Sequence, residues 1–370
     1  MCKYRLIVVS LALIIMGCES EDFFDHSVPI LEENIIGEIN FDKIKVDRSE
    51  FLYNQSNGAF MFLPYSADFL MCETSDGVLH EISGFKGEGP GKISNVFLYG
   101  FASDTSVFIY GEPKYLVYSL DGELIRSGSL DISETMPSYS IFRGTHLTPD
   151  GKIVLASINR DLYQSQVDFV RDSYTISCLD VAQESWHNTG FLAGRGVYAD
   201  ESFEYQQPII DLAGEIICAV YPNDPGSIYR FTCDGGELNP VSIRIKNWEN
   251  RLVSKGDNTL GFRLESFQKN TTFLQFFASK NYFLTVHIMP AEPENVSNSV
   301  EGIQNNSKYR KRYASVFSAS GGDALAQIDL SDHWIVAGVQ EDGNVLLIDA
   351  EDMDGVKNST IFEYKWSDDL

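Results

Sequence analysis

From about Ile35 onwards, short runs of apolar and aromatic residues alternate with turn-forming residues. Runs of four to seven residues, separated by Gly, Asp, Asn and Pro, are typical of antiparallel strands joined by tight turns. Helical periodicity is scarce. The best helical candidate, Thr259 to Phe277, carries several β-branched and aromatic residues and is compatible with either helix or strand. The pattern therefore predicts an all-β fold.

Turn signals of two kinds recur along the chain. The first kind precedes a strongly apolar run that we interpret as an inner strand; its positions at 58, 104, 150, 213, 280 and 343 are separated by 46, 46, 63, 67 and 63 residues. The second kind, such as Asp121-Gly122 and Asp234-Gly235, is expected to join outer strands. The six apolar runs are Ala59–Phe62, Val107–Tyr110, Ile153–Ala156, Ile216–Ala219, Phe283–Val286 and Val345–Ile348.

A repeat of this length with four short antiparallel strands is what one blade of a β-propeller requires. The spacing therefore predicts a six-bladed β-propeller of four-stranded blades. A generic series of β-sandwich strands is the alternative, because Asp-Gly turns occur in all antiparallel proteins.

A glycine-rich segment, Gly84 to Lys92, separates two of the predicted strands. It holds four glycines, among them Gly87, Gly89 and Gly91, and Pro90. Glycine adopts positive φ without steric cost, and proline fixes its own φ. The segment is therefore expected to form a sharp, rigid crossover between strands.

The N-terminus carries an export signal. Lys3 and Arg5 precede an apolar run, Leu6–Met16, whose 11 residues suit a signal-peptide core and are too few to span a bilayer. The following Gly17-Cys18 completes a sequence that resembles a bacterial lipobox, which implies removal of residues 1–17 and lipidation of Cys18. An ordinary secretory signal with a chance cysteine is the alternative.

Acidic residues follow Cys18 at once: Glu19, Glu21, Asp22 and Asp25. The run resembles the signal that directs lipoproteins of Bacteroidetes to the outer face of the outer membrane; a solvated acidic tether is the alternative. We therefore expect a tether at 18–34, a propeller at 35–370, and lipid-anchored outer-membrane localisation, either surface-exposed or periplasmic.

The Gly87-x-Gly89-Pro90-Gly91 crossover, the Asp121-Gly122 hairpin and the lipobox together resemble the six-bladed, TolB-like or NHL-like propeller lipoproteins of Bacteroidetes. The resemblance extends from about Ile44 to Leu155 and is partial, since Lys92 and Ile93 stand where the family usually has Glu and an aromatic residue. It implies architecture and compartment more than activity.

Charge and loops narrow the range of partners. The formal net charge of −25 repels phosphate backbones, so nucleic acid is not an expected partner. Two insertions, 190–208 and 289–313, are candidate binding loops for a glycan or an envelope protein, although both are also compatible with flexible surface loops, and the second ends in a basic run that is compatible with a charged edge strand. The candidate binding residues in them are Arg195, Tyr198, Lys308, Arg310 and Arg312.

Compact catalytic and metal-binding motifs do not emerge from the sequence. The six His show no H-E-x-x-H spacing, no G-x-S-x-G or C-x-x-C occurs, and the acidic loop 349–355 lacks the ligand spacing of a calcium loop. We predict no cofactor, with weak Ca²⁺ binding as a remote option. Cys218 and Cys233 are candidates for a disulfide across a hairpin, while buried free thiols are the default.

The sequence therefore favours a lipid-anchored envelope propeller that serves as a binding or scaffold module for a glycan, peptide or envelope protein. The alternative is a metal-dependent hydrolase, similar to propeller lactonases, with its site at the central channel. A purely structural envelope protein is a third hypothesis.

Overall fold

The structure is a computed structural model of the chain. It describes residues 32–40, 46–54, 58–64, 68–74, 77–96, 98–111, 113–129, 135–137, 146–159, 174–180, 183, 185–190, 208–221, 224–245, 248, 268–292, 295–296, 310–330, 334–340, 343–349 and 358–365.

The described residues form twenty-five β-strands. In chain order they are β1 (Glu32–Asn40), β2 (Val46–Asn54), β3 (Ala59–Pro64), β4 (Phe69–Glu73), β5 (Leu79–Ser83), β6 (Leu98–Ser103), β7 (Ser106–Gly111), β8 (Lys114–Ser119), β9 (Leu124–Ser129), β10 (Thr135–Pro137), β11 (His146–Leu147), β12 (Lys152–Asn159), β13 (Ile176–Asp180), β14 (Ser185–Thr189), β15 (Ile209–Ala213), β16 (Ile216–Tyr221), β17 (Asp224–Phe231), β18 (Glu237–Ser242), β19 (Thr272–Ala278), β20 (Tyr282–Ile288), β21 (Arg312–Ser318), β22 (Ala324–Asp329), β23 (Trp334–Val339), β24 (Val345–Asp349) and β25 (Asn358–Lys365).

These strands form six antiparallel sheets, which are the blades of a six-bladed β-propeller. Blades 1 and 2 are β2–β5 and β6–β9. Blade 3 runs from β11 through β12 and β13 to β14, with β10 on the far end of β12. Blades 4 and 5 are β15–β18 and β19–β22, and blade 6 has the order β23-β24-β25-β1. First strands of neighbouring blades contact one another, for example β15 with β19 and β23 with β2, so they surround a common axis.

The N-terminal strand closes the ring. β1 is the outer strand of blade 6 and pairs antiparallel with β25, from Glu32 opposite Lys365 to Asn40 opposite Asn358. It begins three residues before the expected start of the propeller at Ile35. Both ends of the chain therefore contribute to one sheet.

The six apolar runs that the sequence predicts as inner strands are the second strands of the blades. The strand nearest the axis is the first strand of each blade, which comes before the first kind of turn. The physical reason is burial. A second strand pairs on both edges and packs on both faces against neighbouring blades, so its residues are nearly all apolar; all six residues of β7 are buried. The expected outer turns do join third and fourth strands, as at Asp121-Gly122 between β8 and β9.

A Thr-x-Asp-Gly sequence shapes one turn of each kind, between β11 and β12 and between β17 and β18. At 148–151 and 232–236 the Thr hydroxyl hydrogen-bonds the Asp carboxylate, and the glycine N–H donates to the Thr carbonyl at 2.9 and 3.0 Å. Gly151 and Gly235 have φ of 84° and 90°, a region that favours glycine. The Asp-Gly signal in the sequence therefore reflects a backbone requirement of the turn.

Packing between blades forms the core. Separate apolar clusters lie between successive blades, such as the one formed by Tyr99 and Ile109 of blade 2 with Met61 and Leu70 of blade 1. The stretch Thr259 to Phe277, which was compatible with helix or strand, contains both in its described part: residues 268–269 are helical and residues 272–277 belong to β19, in agreement with their β-branched and aromatic content. The described residues contain no helix of the length and apolarity needed to cross a membrane.

The glycine-rich segment crosses from β5 of blade 1 to β6 of blade 2. The N–H of Ile93 donates to the Phe85 carbonyl at 2.8 Å, and both side chains are buried between the two blades. Gly111 makes this crossing possible, because a Cβ atom there would lie 2.1 Å from the Asn95 carbonyl oxygen. Among the segment's own glycines, Gly87 and Gly89 have φ of 129° and 118°.

A disulfide links blades 3 and 4. It joins Cys178 on β13 to Cys233 just after β17, with 5.6 Å between the Cα atoms. The suggested pairing of Cys218 with Cys233 is therefore wrong: Cys218 faces blade 5, whereas Cys233 lies in the core between blades 3 and 4. Cys218 and Cys72 are buried free thiols, and burial raises the pKa of each to about 12.

Candidate functional site at the propeller axis and its two faces

Successive strands of a blade run in opposite directions, so the two ends of the propeller carry different kinds of connection. Turns between first and second strands, and between third and fourth strands, all lie at one end, which we call the tight-turn face; its described turns include 104–105, 120–123, 214–215 and 279–281. Connections between second and third strands, and between successive blades, all leave from the opposite end, which we call the connection face. Apart from 138–145, which joins β10 to β11 along one edge of β12, every connection longer than five residues therefore departs from strand ends at the connection face.

Both candidate binding loops belong to the connection face by this topology. The 190–208 segment connects β14 of blade 3 to β15 of blade 4, and the 289–313 segment connects β20 to β21 within blade 5. Arg195, Tyr198 and Lys308 lie outside the described residues, so their roles stay predictions.

Arg310, one of the candidate binding residues, is buried and does not belong to an exposed basic run. Its side chain is 4% exposed, its Nε donates to the Met289 carbonyl at 2.5 Å, and its Nη2 donates to the Asn270 carbonyl at 3.1 Å. Burial lowers the pKa of its guanidinium to about 10. Arg310 therefore caps carbonyl groups at the end of blade 5 and does not present its charge to a ligand, whereas Lys311 is exposed and Arg312 is half-buried at the start of β21.

Charge is distributed unequally between the two ends. The described tight-turn residues carry seven exposed acidic side chains and one basic side chain, Lys280. The described connections carry more basic than acidic residues. The acidic residues of the tight turns are Asp104, Asp121, Glu123, Asp150, Glu215, Asp234 and Asp323. The basic residues of the connections are Lys86, Lys92, Arg244, Lys269, Arg310 and Lys311, and their acidic residues are Asp68, Glu88 and Glu292.

A histidine and an aspartate meet at the axis, near its tight-turn end. His146 lies on β11 of blade 3 and Asp211 on β15 of blade 4, with 3.0 Å between His146 Nδ1 and Asp211 Oδ1. Asp211 also accepts hydrogen bonds from the backbone N–H of Leu212 at 2.8 Å and of Ala278, on β19 of blade 5, at 2.7 Å. The carboxylate is thus held by three blades.

The arrangement orients the imidazole. A His whose Nδ1–H donates to a fixed carboxylate has its Nε2 lone pair directed elsewhere, which suits it to accept a proton or a hydrogen bond. The side chains of His146 and Asp211 are 21% and 15% exposed, so solvent reaches them. The pair can therefore serve as an inter-blade tie, as a general base, or as a recognition point for a protic group.

Sequence reasoning did not single out this pair. Each residue lies on a first strand, two or three residues before a tight turn, and Asp211 is a polar position between apolar Ile210 and Leu212. A polar residue at this distance before a tight turn was the available signal for an axial side chain, since first strands surround the axis. No group of three or more His, Cys, Asp or Glu side chains is close enough to hold a metal ion among the described residues.

Blade 5 contains a buried histidine as well. His287 on β20 lies beside Tyr313 and Trp248, with ring centroids 5.8 and 6.1 Å away, and neither of its ring nitrogens has a hydrogen-bond partner within the described part of the chain. Burial lowers the pKa of His287 to about 4, so the ring is neutral at physiological pH.

Comparison with known proteins supports the fold. No family model and no curated protein sequence matches the chain. Among solved structures, a member of the DUF4221 family from Bacteroides vulgatus ATCC 8482 has a TM-score of 0.61 at 11% identity and covers 90% of this chain and 98% of its own. The two proteins share a fold.

Two enzymes show weaker likeness. A luciferin-regenerating enzyme has a TM-score of 0.45 at 8% identity, over 91% of this chain and 96% of its own. Virginiamycin B lyase from Staphylococcus aureus has a TM-score of 0.41 at 12% identity, over 91% of this chain and all of its own. Likeness at this level says nothing about activity.

Proposed function

We propose that this protein is a lipid-anchored envelope protein whose propeller works as a binding or scaffold module for a glycan, a peptide or another envelope protein. The observation that carries the proposal is the asymmetry of the scaffold: the long connections, including both candidate loops, depart from one face of a rigid ring. Long connections held by a rigid scaffold are where recognition concentrates in proteins.

The disulfide supports the envelope part of the proposal. Cys178 and Cys233 are joined across two blades, and disulfides persist in oxidising compartments such as the bacterial periplasm and the cell surface. This agrees with the lipobox-like sequence at Cys18, and Cys18 remains the proposed lipidation site.

Fractionation of cells tests the anchor. Replacing Cys18 with Ala should move the protein from the membrane fraction to the aqueous fraction, because the acyl chains supply the hydrophobic attachment. Cys2→Ala is the matched control and should leave the protein in membranes, since Cys2 departs with the signal. Membrane association of the Cys18→Ala protein would refute the anchor, and protease treatment of intact cells then separates surface from periplasm.

Loop deletion tests the binding role. A chain lacking residues 291–307 should lose the partners that the full chain captures from envelope extracts after crosslinking, while its unfolding midpoint stays near that of the full chain. Lys280→Glu, on the tight-turn face, is the control and should retain those partners. Identical partners for all three proteins would remove the binding role of this loop.

A catalytic role at the axis is the second candidate, and the half-buried His146–Asp211 pair is the observation that favours it. Hydrolysis of a panel of lactones and esters, with and without added Ca²⁺, tests this role and the metal-dependent version of it. A general base contributes about 10²–10⁴-fold to rate, so His146→Ala should lower any activity to that extent. His187→Ala on outer strand β14 is the exposed control; equal rates for both variants would exclude the pair from catalysis.

A further inference from the structure

The ring has a fixed attachment point for its N-terminal tether. β1 starts at Glu32, which pairs with Lys365 at the end of β25. β25 runs from the connection face to the tight-turn face, because β24 descends from the tight turn at 340–344 and pairs antiparallel with it. The antiparallel β1 therefore begins at the tight-turn face, and the tether enters the propeller there.

We infer that the tight-turn face is the membrane-facing side of the anchored protein, and that the connection face is directed away from the lipid, towards partners in the aqueous space. The inference rests on the proposed lipid anchor at Cys18. It adds to that proposal the identity of the surface that faces lipid and of the surface that is free for a macromolecular partner.

Chain length supports this orientation. Cys18 lies fourteen residues before Glu32, and fourteen residues reach about 46–50 Å at most. To turn the connection face towards the bilayer, the tether would have to pass along the whole of β1, whose nine residues span about 30 Å. The reversed orientation would use about 60% of the tether's full reach before the tether met the bilayer, and the stretching lowers the chain's entropy, which disfavours this orientation.

Charge determines how the tight-turn face meets the membrane. Its described turns carry seven acidic residues and one basic residue, so an anionic bilayer repels this face over a distance of about 8 Å at physiological salt. The face therefore stands off from the lipid on its tether, without adhering to it. Charge therefore does not favour this orientation, which rests on the point where the tether enters the ring. In this orientation lipid does not cover the connection face.

Blade 5 offers a matched pair of labelling sites. Lys280 lies in the turn between β19 and β20 on the tight-turn face, and Lys311 precedes β21 on the connection face; both are exposed. Lys280→Cys and Lys311→Cys remove the same charge and add the same thiol. The native thiols do not compete for a maleimide dye: Cys72 and Cys218 are buried with pKa values raised to about 12, and Cys178 and Cys233 are bonded to each other.

Energy transfer to the bilayer provides the test. Each full-length lipoprotein variant is dye-labelled and reconstituted into phosphatidylcholine vesicles that contain a small fraction of headgroup-labelled acceptor lipid. Transfer from position 280 should be about twofold higher than from position 311, since the sites stand about 20 Å apart along the strands. Equal transfer from both positions, or stronger transfer from 311, would overturn the orientation.

Failure of the anchor gives a different result. A protein that does not float with the vesicles would refute lipid anchoring itself, and with it this inference, whereas a protein that floats and shows no difference between the two positions refutes the orientation alone. Equal unfolding midpoints of the two variants and the unsubstituted protein establish that all three carry the same fold.

Discussion

Two buried polar side chains of blade 5 differ in how their burial is compensated. Arg310 donates to two backbone carbonyls, and it stays positively charged at physiological pH because a guanidinium has a high ordinary pKa, which burial lowers to about 10. His287 has no such partner within the described residues, and burial lowers its pKa to about 4. An unpaired buried group disfavours its charged form, while a hydrogen-bonded one tolerates it.

The His287 environment predicts a dependence of stability on pH. The pKa of the ring is about 4 when folded and near 6.5 when unfolded, so the unfolded state binds the extra proton between these values. Stability should therefore be full above pH 6.5 and fall as the pH drops towards 4, by up to about 3 kcal/mol. Urea unfolding of His287→Phe should show a shallower fall over this window than the unsubstituted protein does.

The exposed His187 supplies the control for this measurement. His187→Gln should retain the pH dependence of the unsubstituted protein, because its imidazole is solvated in both states. Parallel profiles for His287→Phe and the unsubstituted protein would show that His287 does not contribute.

At the scale of elements, each blade repeats the same order of antiparallel strands, and the position of a strand in that order decides how deeply it is buried. Second strands are buried on both faces, which is why their apolar runs and the Asp-Gly turns allowed six blades to be predicted from the sequence. First strands escaped prediction because the axis leaves them polar positions such as Asp211, and β11 is only two residues long. The His146–Asp211 pair and the Cys178–Cys233 link depend on contacts between blades, which local patterns do not encode.

The inter-blade disulfide predicts a stability difference between oxidised and reduced protein. Cys178 and Cys233 are 55 residues apart in sequence, and closing a loop of that size restricts the unfolded chain by about 4 kcal/mol in the entropic model. The free energy of unfolding should fall by about that amount in a thiol reductant. The Cys178→Ala, Cys233→Ala double variant is the control and should be insensitive to the reductant; an equal effect of reductant on both proteins would contradict the link.

At the scale of the whole molecule, the ring is closed by backbone hydrogen bonds between the two ends of the chain. β1 supplies the outer strand of blade 6, and β25 pairs with it along eight residues of each strand. Without β1, β25 would become an exposed sheet edge, and exposed edges promote association with other chains.

Truncation tests the closure. A chain that starts at residue 41 should be less stable by roughly 3–5 kcal/mol or more, because it loses the outer strand and the packing that depends on it. A chain that starts at residue 32 keeps β1 and should unfold at the same urea concentration as a chain that starts at residue 18. Tryptophan fluorescence during urea unfolding measures both, and similar midpoints would show that β1 is dispensable.

The pairing of β1 with β25 also sets the order of events during synthesis and folding. The strand that is synthesised first must wait, without its partner, until almost the entire polypeptide has been made. Such distant pairings slow folding, because the long intervening loop must close before the contact forms. A chain that lacks β25 leaves β1 without its partner, and the backbone N–H and C=O groups of that strand are then free to pair with other chains.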